Sequence, residues 1–210
     1  ELFGEMPMPL LEPRYNIAPT QPIPIVREAA AGRREMVLVR WRLVPGWSKG
    51  PDHRFSMINA RVETVAQKPA YRNAFRYRRC LIPADGFYEW RPAAAGKQPH
   101  LLRARDGRPL ALAGIWEHWQ DANGNELESC AILVGEADSQ VRPVHERMPL
   151  IVAPASFGHW LDTHSQTPQP LEALLAAQQP PELEIYPVGR AVNDPHNDTA
   201  GLLERVSGDG

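Results

Sequence analysis

Twenty-two prolines in 210 residues set the first limit on this chain, because they punctuate short apolar runs and do not form one tract. A proline inside a helix costs about 3 kcal/mol, so the pattern argues against a helical bundle. Prolines at these intervals suit turns and strand ends instead. PIPIV, EMVLVRW, CLIP, PHLLRA, LALAGIWEHW and CAILVGEA then read as strands, and LEIYPVG as the last of them. EMVLVRWRLVP is a strand pair or one long bent strand. The Asp106-Gly107 step and QDANGNE mark turns, and AAAGKQ marks a hairpin. FSMINARVETV begins extended and turns helical. A helix is expected through about Lys68 to Phe75, with Pro69 in its first turn. ASFGHWLDT and PLEALLAAQ are helices, and Glu1 to Phe3 look like the tail of another. The expected class is α+β: a mainly antiparallel, barrel-like sheet core with a few flanking helices.

The length fits one domain over residues 1–210, large enough to bury a core. No apolar run approaches eighteen residues and no charged-then-apolar leader is visible. Two cysteines, Cys80 and Cys130, do not make a disulfide framework. These features predict a soluble, cytoplasmic chain. Both cysteines lie in apolar strand patterns, where a thiol is usually buried and inert.

The net charge of −2 conceals an asymmetry. Residues 1–105 hold eighteen Lys or Arg against nine Asp or Glu, and residues 106–210 hold five against sixteen. If the first half forms one face, that face is basic and suits a polyanion. If the halves interleave in space, the charges average out. YRNAFRYRR, at 71–79, either tracks a phosphate backbone or forms an amphipathic helix. In the second case Tyr71 and Phe75 face the core and the arginines face water.

Three polar residues sit where a bland core would not put them. Asn59, in SMINARVET, follows Met57 and Ile58, and strand alternation sets it on the same face as Arg61. Its amide could orient a ligand and Arg61 could grip a phosphate. Alternatively Asn59 caps the following helix. Glu89, in ADGFYEW, follows an Asp85-Gly86 turn. Alternation puts it with Phe87, while Tyr88 and Trp90 face the other way. Aromatic company strips water from a carboxylate, raises its pKa and suits proton transfer; a solvated edge-strand Glu, or one paired with Arg91 or another arginine, is the plainer alternative. His145, in VRPVHERMPLIV, occupies a polar loop before an apolar strand, where an imidazole can shuttle protons near neutrality; with Glu146 and Arg147 it is otherwise an ordinary charged loop. His53, His100, His118, His159, His164 and His196 show no ligand spacing, and CxxC and HExxH are absent, so no metal is expected. Glycine-rich phosphate loops, dinucleotide fingerprints and GxSxG elbows are absent too, so no cofactor is expected.

YNIAPTQ, WRLVPGW, INARVET, RRCLIPADGFYEW, KQPH, LALAGIWEHW, HERMP and PVGRAVN occur in this order along nearly the whole chain. Together they closely resemble the SRAP family, the SOS-response-associated peptidase-like proteins. The resemblance implies a single SRAP domain that binds single-stranded DNA, junctions included, as a monomer. It implies a covalent crosslink to abasic sites: an N-terminal cysteine, exposed by removal of the initiator Met, traps the ring-opened sugar as a thiazolidine. On that pattern Asn59 orients cysteine and sugar, Glu89 is the acid-base group, and His145 assists proton transfer. Arg61 and Arg147 hold phosphates. Asn16, Pro19, Trp41 and Trp47 shape the DNA cleft. The family begins MCGRF or close to it, whereas this sequence begins ELFGEMP, about fifteen residues further into the pattern. No internal cysteine can substitute, because the ring needs a free α-amine beside its own thiol. A peptidase acting in trans, or a non-catalytic single-stranded-DNA binder, are the alternatives the same residues leave open.

Overall fold

The computed structural model describes residues 2–29, 32–51, 56–94, 96–164 and 167–207. Glu1 of the expected helix tail and His53 lie outside the described residues; Leu2 and Phe3 form a turn. The chain order is β1 (Pro22–Glu28), β2 (Arg34–Trp41), β3 (Asn59–Arg61), α1 (Val62–Val65), α2 (Arg72–Tyr77), β4 (Arg79–Ala84), β5 (Phe87–Ala93), β6 (Gly96–Ala104), β7 (Leu110–Gln120), β8 (Glu126–Glu136), β9 (Arg147–Pro149), α3 (Phe157–Leu161), α4 (Pro168–Ala176) and β10 (Leu183–Pro187).

Strands pair in the order β2–β1–β4–β7–β8, and β8 returns to β2, which closes a barrel. A second sheet, β10–β6–β5, is antiparallel throughout. The expected mixed, mainly antiparallel architecture is therefore present. Among the described residues the parallel pairings are those of β2 and of β3 with β8. Alternation of prolines in β1 explains how that strand survives. Trp41 donates its backbone N–H to the carbonyl of Gln21, so Pro22 and Pro24 turn their nitrogens away from β2. On that far side β1 pairs with β4 at Val26 and Leu81 alone, so no ladder bond is lost.

Two apolar layers follow from strand alternation. Ile25, Val39, Cys80, Ile82, Leu112 and Cys130 fill one face, toward Leu102 and Leu183 of the second sheet. Val26, Leu81, Ala113 and Leu133 face the other way, under Val65 of α1, Phe75 of α2, Trp160 of α3 and Leu171 of α4. Cys80 and Cys130 are free and buried. Burial raises the Cys80 thiol well above its ordinary value and pushes Cys130 up to about 12.

Several sequence expectations shift. Helix α2 starts at Arg72, after turns over 68–71 that contain Pro69. Tyr71 and Phe75 do face the core, but Arg79 is not in water: its side chain is fully buried. Its guanidinium donates to the carbonyls of Phe75 and Arg76 at the end of α2, and of Trp160 and Asp162 at the end of α3. Helix C-termini carry unpaired carbonyls and partial negative charge, so one cation closes two helices. Burial lowers its pKa to about 10, which leaves it charged at neutrality. The Asp106-Gly107 turn forms, with Gly107 at φ 73°, yet its flanking strands do not pair. It carries the chain from the second sheet into the barrel.

The two halves of the chain interleave. First-half arginines are matched by second-half acids: Arg14 with Asp198, Arg27 with Glu128, Arg78 with Glu117, Arg103 with Glu184 and Arg105 with Glu182. These pairs neutralise part of the basic excess of residues 1–105, so the first half does not form a wholly basic face.

Candidate active site

Strand β8 is shared twice along each edge. On one edge β2 takes residues 129–130 and β3 takes 132–134. On the other, β7 gives way to β9 at 134–136. Beyond the two-residue β2–β8 seam the barrel therefore opens, and β3 lines the opening. The Trp41 indole N–H donates to the carbonyl of Ile58 (2.9 Å) and fixes the approach to β3. Asn59 and Arg61 are exposed while Ala60 between them is buried. In register with Ile132 and Val134, they lie on the barrel-interior side of the sheet. The alternative of a helix cap fails for Asn59, because the capping position of α1 is Arg61 and no side chain caps it.

Glu89 reaches this side from the second sheet. The turn before β5 is so tight that a Cβ on Gly86 would meet the Leu102 carbonyl at 2.7 Å. From there alternation sends Phe87 to the barrel-interior cluster, and Tyr88 and Trp90 to the opposite one with Leu101 and Tyr186. Tyr88 donates to the Tyr15 carbonyl (2.8 Å) and Trp90 to the Asn193 amide oxygen (2.7 Å). These bonds lock the strand's rotation and leave Glu89 facing the opening with Phe87. Desolvation raises the Glu89 pKa, and His145 and the Trp90 backbone N–H oppose it only in part.

His145 ends a compact turn in which Asp138 accepts the N–H groups of Gln140 and Val141. Its Nδ1 lies 3.8 Å from the Glu89 carboxylate. The same nitrogen is 2.9 Å from the Arg147 carbonyl and 3.1 Å from the Arg147 N–H. A protonated Nδ1 donates to the carbonyl; a bare Nδ1 accepts from the N–H. The Arg147 backbone can thus hold this nitrogen in either tautomer, and it fixes the ring beside Glu89. The Arg147 guanidinium holds both carboxylate oxygens of Glu63 at 2.7 Å. Glu63, in the first turn of α1, was not singled out in the sequence. It lies 84 positions from Arg147, and no local spacing signals such a pair. His100 was also passed over. It is buried and stands directly across from Glu89 in the β5–β6 ladder.

The remaining candidates separate. Trp47 is 69% exposed in the loop after β2. That loop is braced on β7: the Trp119 indole donates to the Ser48 carbonyl (2.9 Å), and a Cβ on Gly46 would meet the His118 carbonyl at 2.8 Å. Pro19 is exposed at the second position of a turn closed by Gln21 N–H to Ala18 O. Thr20 follows at φ 79° and Arg42 has φ 131°, a costly region for side-chain-bearing residues. Both strained residues flank Trp41: Thr20 donates its N–H to the Trp41 carbonyl, and Arg42 is next in sequence. Asn16, expected at a DNA surface, is buried instead. Its amide is spent on the carbonyls of Val192, Asp194 and Asn197, so it clamps the 14–21 segment to the C-terminal part of the chain. Among the described residues no three His, Cys, Asp or Glu side chains gather as a metal site. Two concavities, of about 630 and 190 Å³, are lined by other residues. The candidate site is an open cleft mouth.

Known proteins match this chain along most of its length. The pattern of the family described as SOS response associated peptidase (SRAP) matches residues 3–195. Abasic site processing protein YoaM of Bacillus subtilis is 36% identical over 194 residues, covering 92% of this chain and 85% of the relative. Abasic site processing protein YoqW of the same organism is 35% identical over 193 residues, covering 91% and 86%. The fold is shared with a crystal structure of a Bacteroides thetaiotaomicron protein, at TM-score 0.76 and 24% identity over 90% of this chain and 82% of that one. The chain belongs to the SOS response associated peptidase (SRAP) family.

Proposed function

We propose that the protein captures abasic sites in single-stranded DNA, at junctions as well, by forming a covalent thiazolidine. The observation that carries this is the Glu89–His145 pair, 3.8 Å apart, facing the same opening as Asn59 and Arg61. The relatives' name, abasic site processing protein, supports it.

The chemistry balances without a cofactor. The α-amine of an N-terminal cysteine adds to the C1′ aldehyde of the ring-opened sugar. The carbinolamine loses water to give a Schiff base, and the thiol then adds to the imine carbon. One water leaves and no electrons are transferred. Ring opening and dehydration each need a proton delivered to an oxygen, and the amine must lose one. Glu89, its proton affinity raised by desolvation, supplies and takes these protons at a pH where an ordinary carboxyl is already ionised. His145 exchanges protons with it. Asn59 orients the amine and sugar, and Arg61 and Arg147 hold the flanking phosphates. Pro19, Trp41 and Trp47 border the path of the strand. The reading requires a cysteine ahead of Glu1, because Cys80 and Cys130 are buried and their amines are peptide-bonded. Self-removal of the initiator Met, which frees that amine, belongs to the same reading, as does a cytoplasmic site of action for a chain with two free thiols.

The test is borohydride trapping of the Schiff base on the full-length protein with an abasic oligonucleotide. Glu89→Gln and His145→Ala should each lower trapped product while leaving binding of intact single-stranded DNA in place. Salt-sensitive binding with no trapped product from the unaltered protein would support a non-catalytic binder instead, and cleavage of an unrelated peptide would support a trans-acting peptidase.

A further inference from the structure

We propose that Glu63 is a positioning residue that orients Arg147 and, through the Arg147 backbone, holds His145 against Glu89. This rests on the reading of the site given above. Four groups, on α1, β9, β5 and the turn before β9, form one chain of contacts. Glu63 of α1 grips both terminal nitrogens of Arg147 at 2.7 Å. Arg147 of β9 presents its N–H and carbonyl to one nitrogen of His145 at 3.1 and 2.9 Å. His145 faces Glu89 of β5 at 3.8 Å. Strand β9 is only three residues long and α1 is a single turn, so neither has enough backbone bonding to fix a long side chain unaided. The bidentate ion pair ties them together across the end of β8.

Position and charge make separate predictions. Arg147 keeps its charge when Glu63 is removed, and the site loses one negative group. Affinity for a polyanion should hold or rise, whereas the alignment of the proton pair should suffer. The Nε–H of Arg147 is also buried without a partner among the described residues. The guanidinium is therefore fixed at its outer end by Glu63, not by bonds along its stem.

The experiment uses full-length protein and two oligonucleotides, one abasic and one intact. Adduct formation is timed at saturating abasic DNA, and affinity for intact single-stranded DNA is measured separately. Glu63→Ala and the isosteric Glu63→Gln should slow adduct formation at saturation by about ten- to a hundredfold, with intact-DNA affinity unchanged or tighter. Because Glu63 acts through Arg147, the Glu63→Ala/Arg147→Ala double variant should be no slower than Arg147→Ala alone. Multiplicative losses in the double variant overturn the proposal. So does an unchanged rate in Glu63→Gln, or a fall in rate and affinity together in proportion to lost folded protein. An unaltered protein that gives no adduct overturns the underlying reading instead, so the two failures are distinct.

Discussion

Desolvation at Glu89 has a consequence that needs no substrate. Its folded-state pKa lies above its ordinary value, so ionising it costs more in the fold than in the unfolded chain. Stability is greatest where the carboxyl is protonated in both states and falls as pH rises through the folded pKa. Glu89→Gln should therefore raise the melting temperature at pH 8, with the gain gone by about pH 4, while adduct formation falls about a hundredfold or more. Thermal melts at the two pH values check the first part; a gain of equal size at both contradicts it. Arg79 makes the opposite case, a charge whose surroundings need it. Arg79→Ala strands four carbonyls at two helix ends and should cost about 3–5 kcal/mol in denaturant unfolding. Arg79→Lys should recover only part of that, since an ammonium lacks the fork that reaches both helices. Glu89 was legible because a two-residue period and flanking aromatics are local signals. Arg79 was not, because its burial depends on where α3 ends, 83 residues away.

Between residue and fold, strands were read more accurately than their neighbours. Hydrophobic alternation marks a strand, but it does not say which edge meets which. The parallel seams of β2 and β3 with β8, which create the cleft mouth, join residues far apart in sequence. The Asp106-Gly107 turn was legible as a turn and misleading as to what it joins. The loop carrying Trp47 is governed at this scale too, because Trp119 and the Cβ-free Gly46 hold it to β7. Trp47→Ala should weaken binding to single-stranded DNA by about 1–3 kcal/mol, the usual range for one stacked base. Trp119→Ala should produce a smaller loss in the same direction by loosening the loop. Fluorescence anisotropy titrations check both, and an effect of Trp119→Ala on stability with none on affinity would detach the brace from binding.

Across the whole molecule, charge is organised by pairing and not by sequence half. The nine-charge excess of residues 1–105 would give a salt slope near −6 for single-stranded DNA if every charge met a phosphate. Five ion pairs between the halves cancel part of that excess, and the Arg147–Glu63 pair gives one charge back. The cleft itself offers Arg61 and Arg147 with one or two neighbours, about three phosphate contacts, hence a slope of about −2. Affinities over a series of salt concentrations separate these values. The α+β class and the family were legible from motifs scattered along the chain; the neutralised surface was not, since it exists only once the halves interleave.

Covalent capture of an abasic sugar in this cleft can be read from the intact mass of the full-length protein after incubation with an abasic single-stranded oligonucleotide. A species at the summed mass of protein and oligonucleotide less one water is expected, absent with intact DNA of the same sequence and strongly delayed by Glu89→Gln. Unmodified protein beside unmodified abasic DNA, with the N-terminal cysteine free, would rule such capture out.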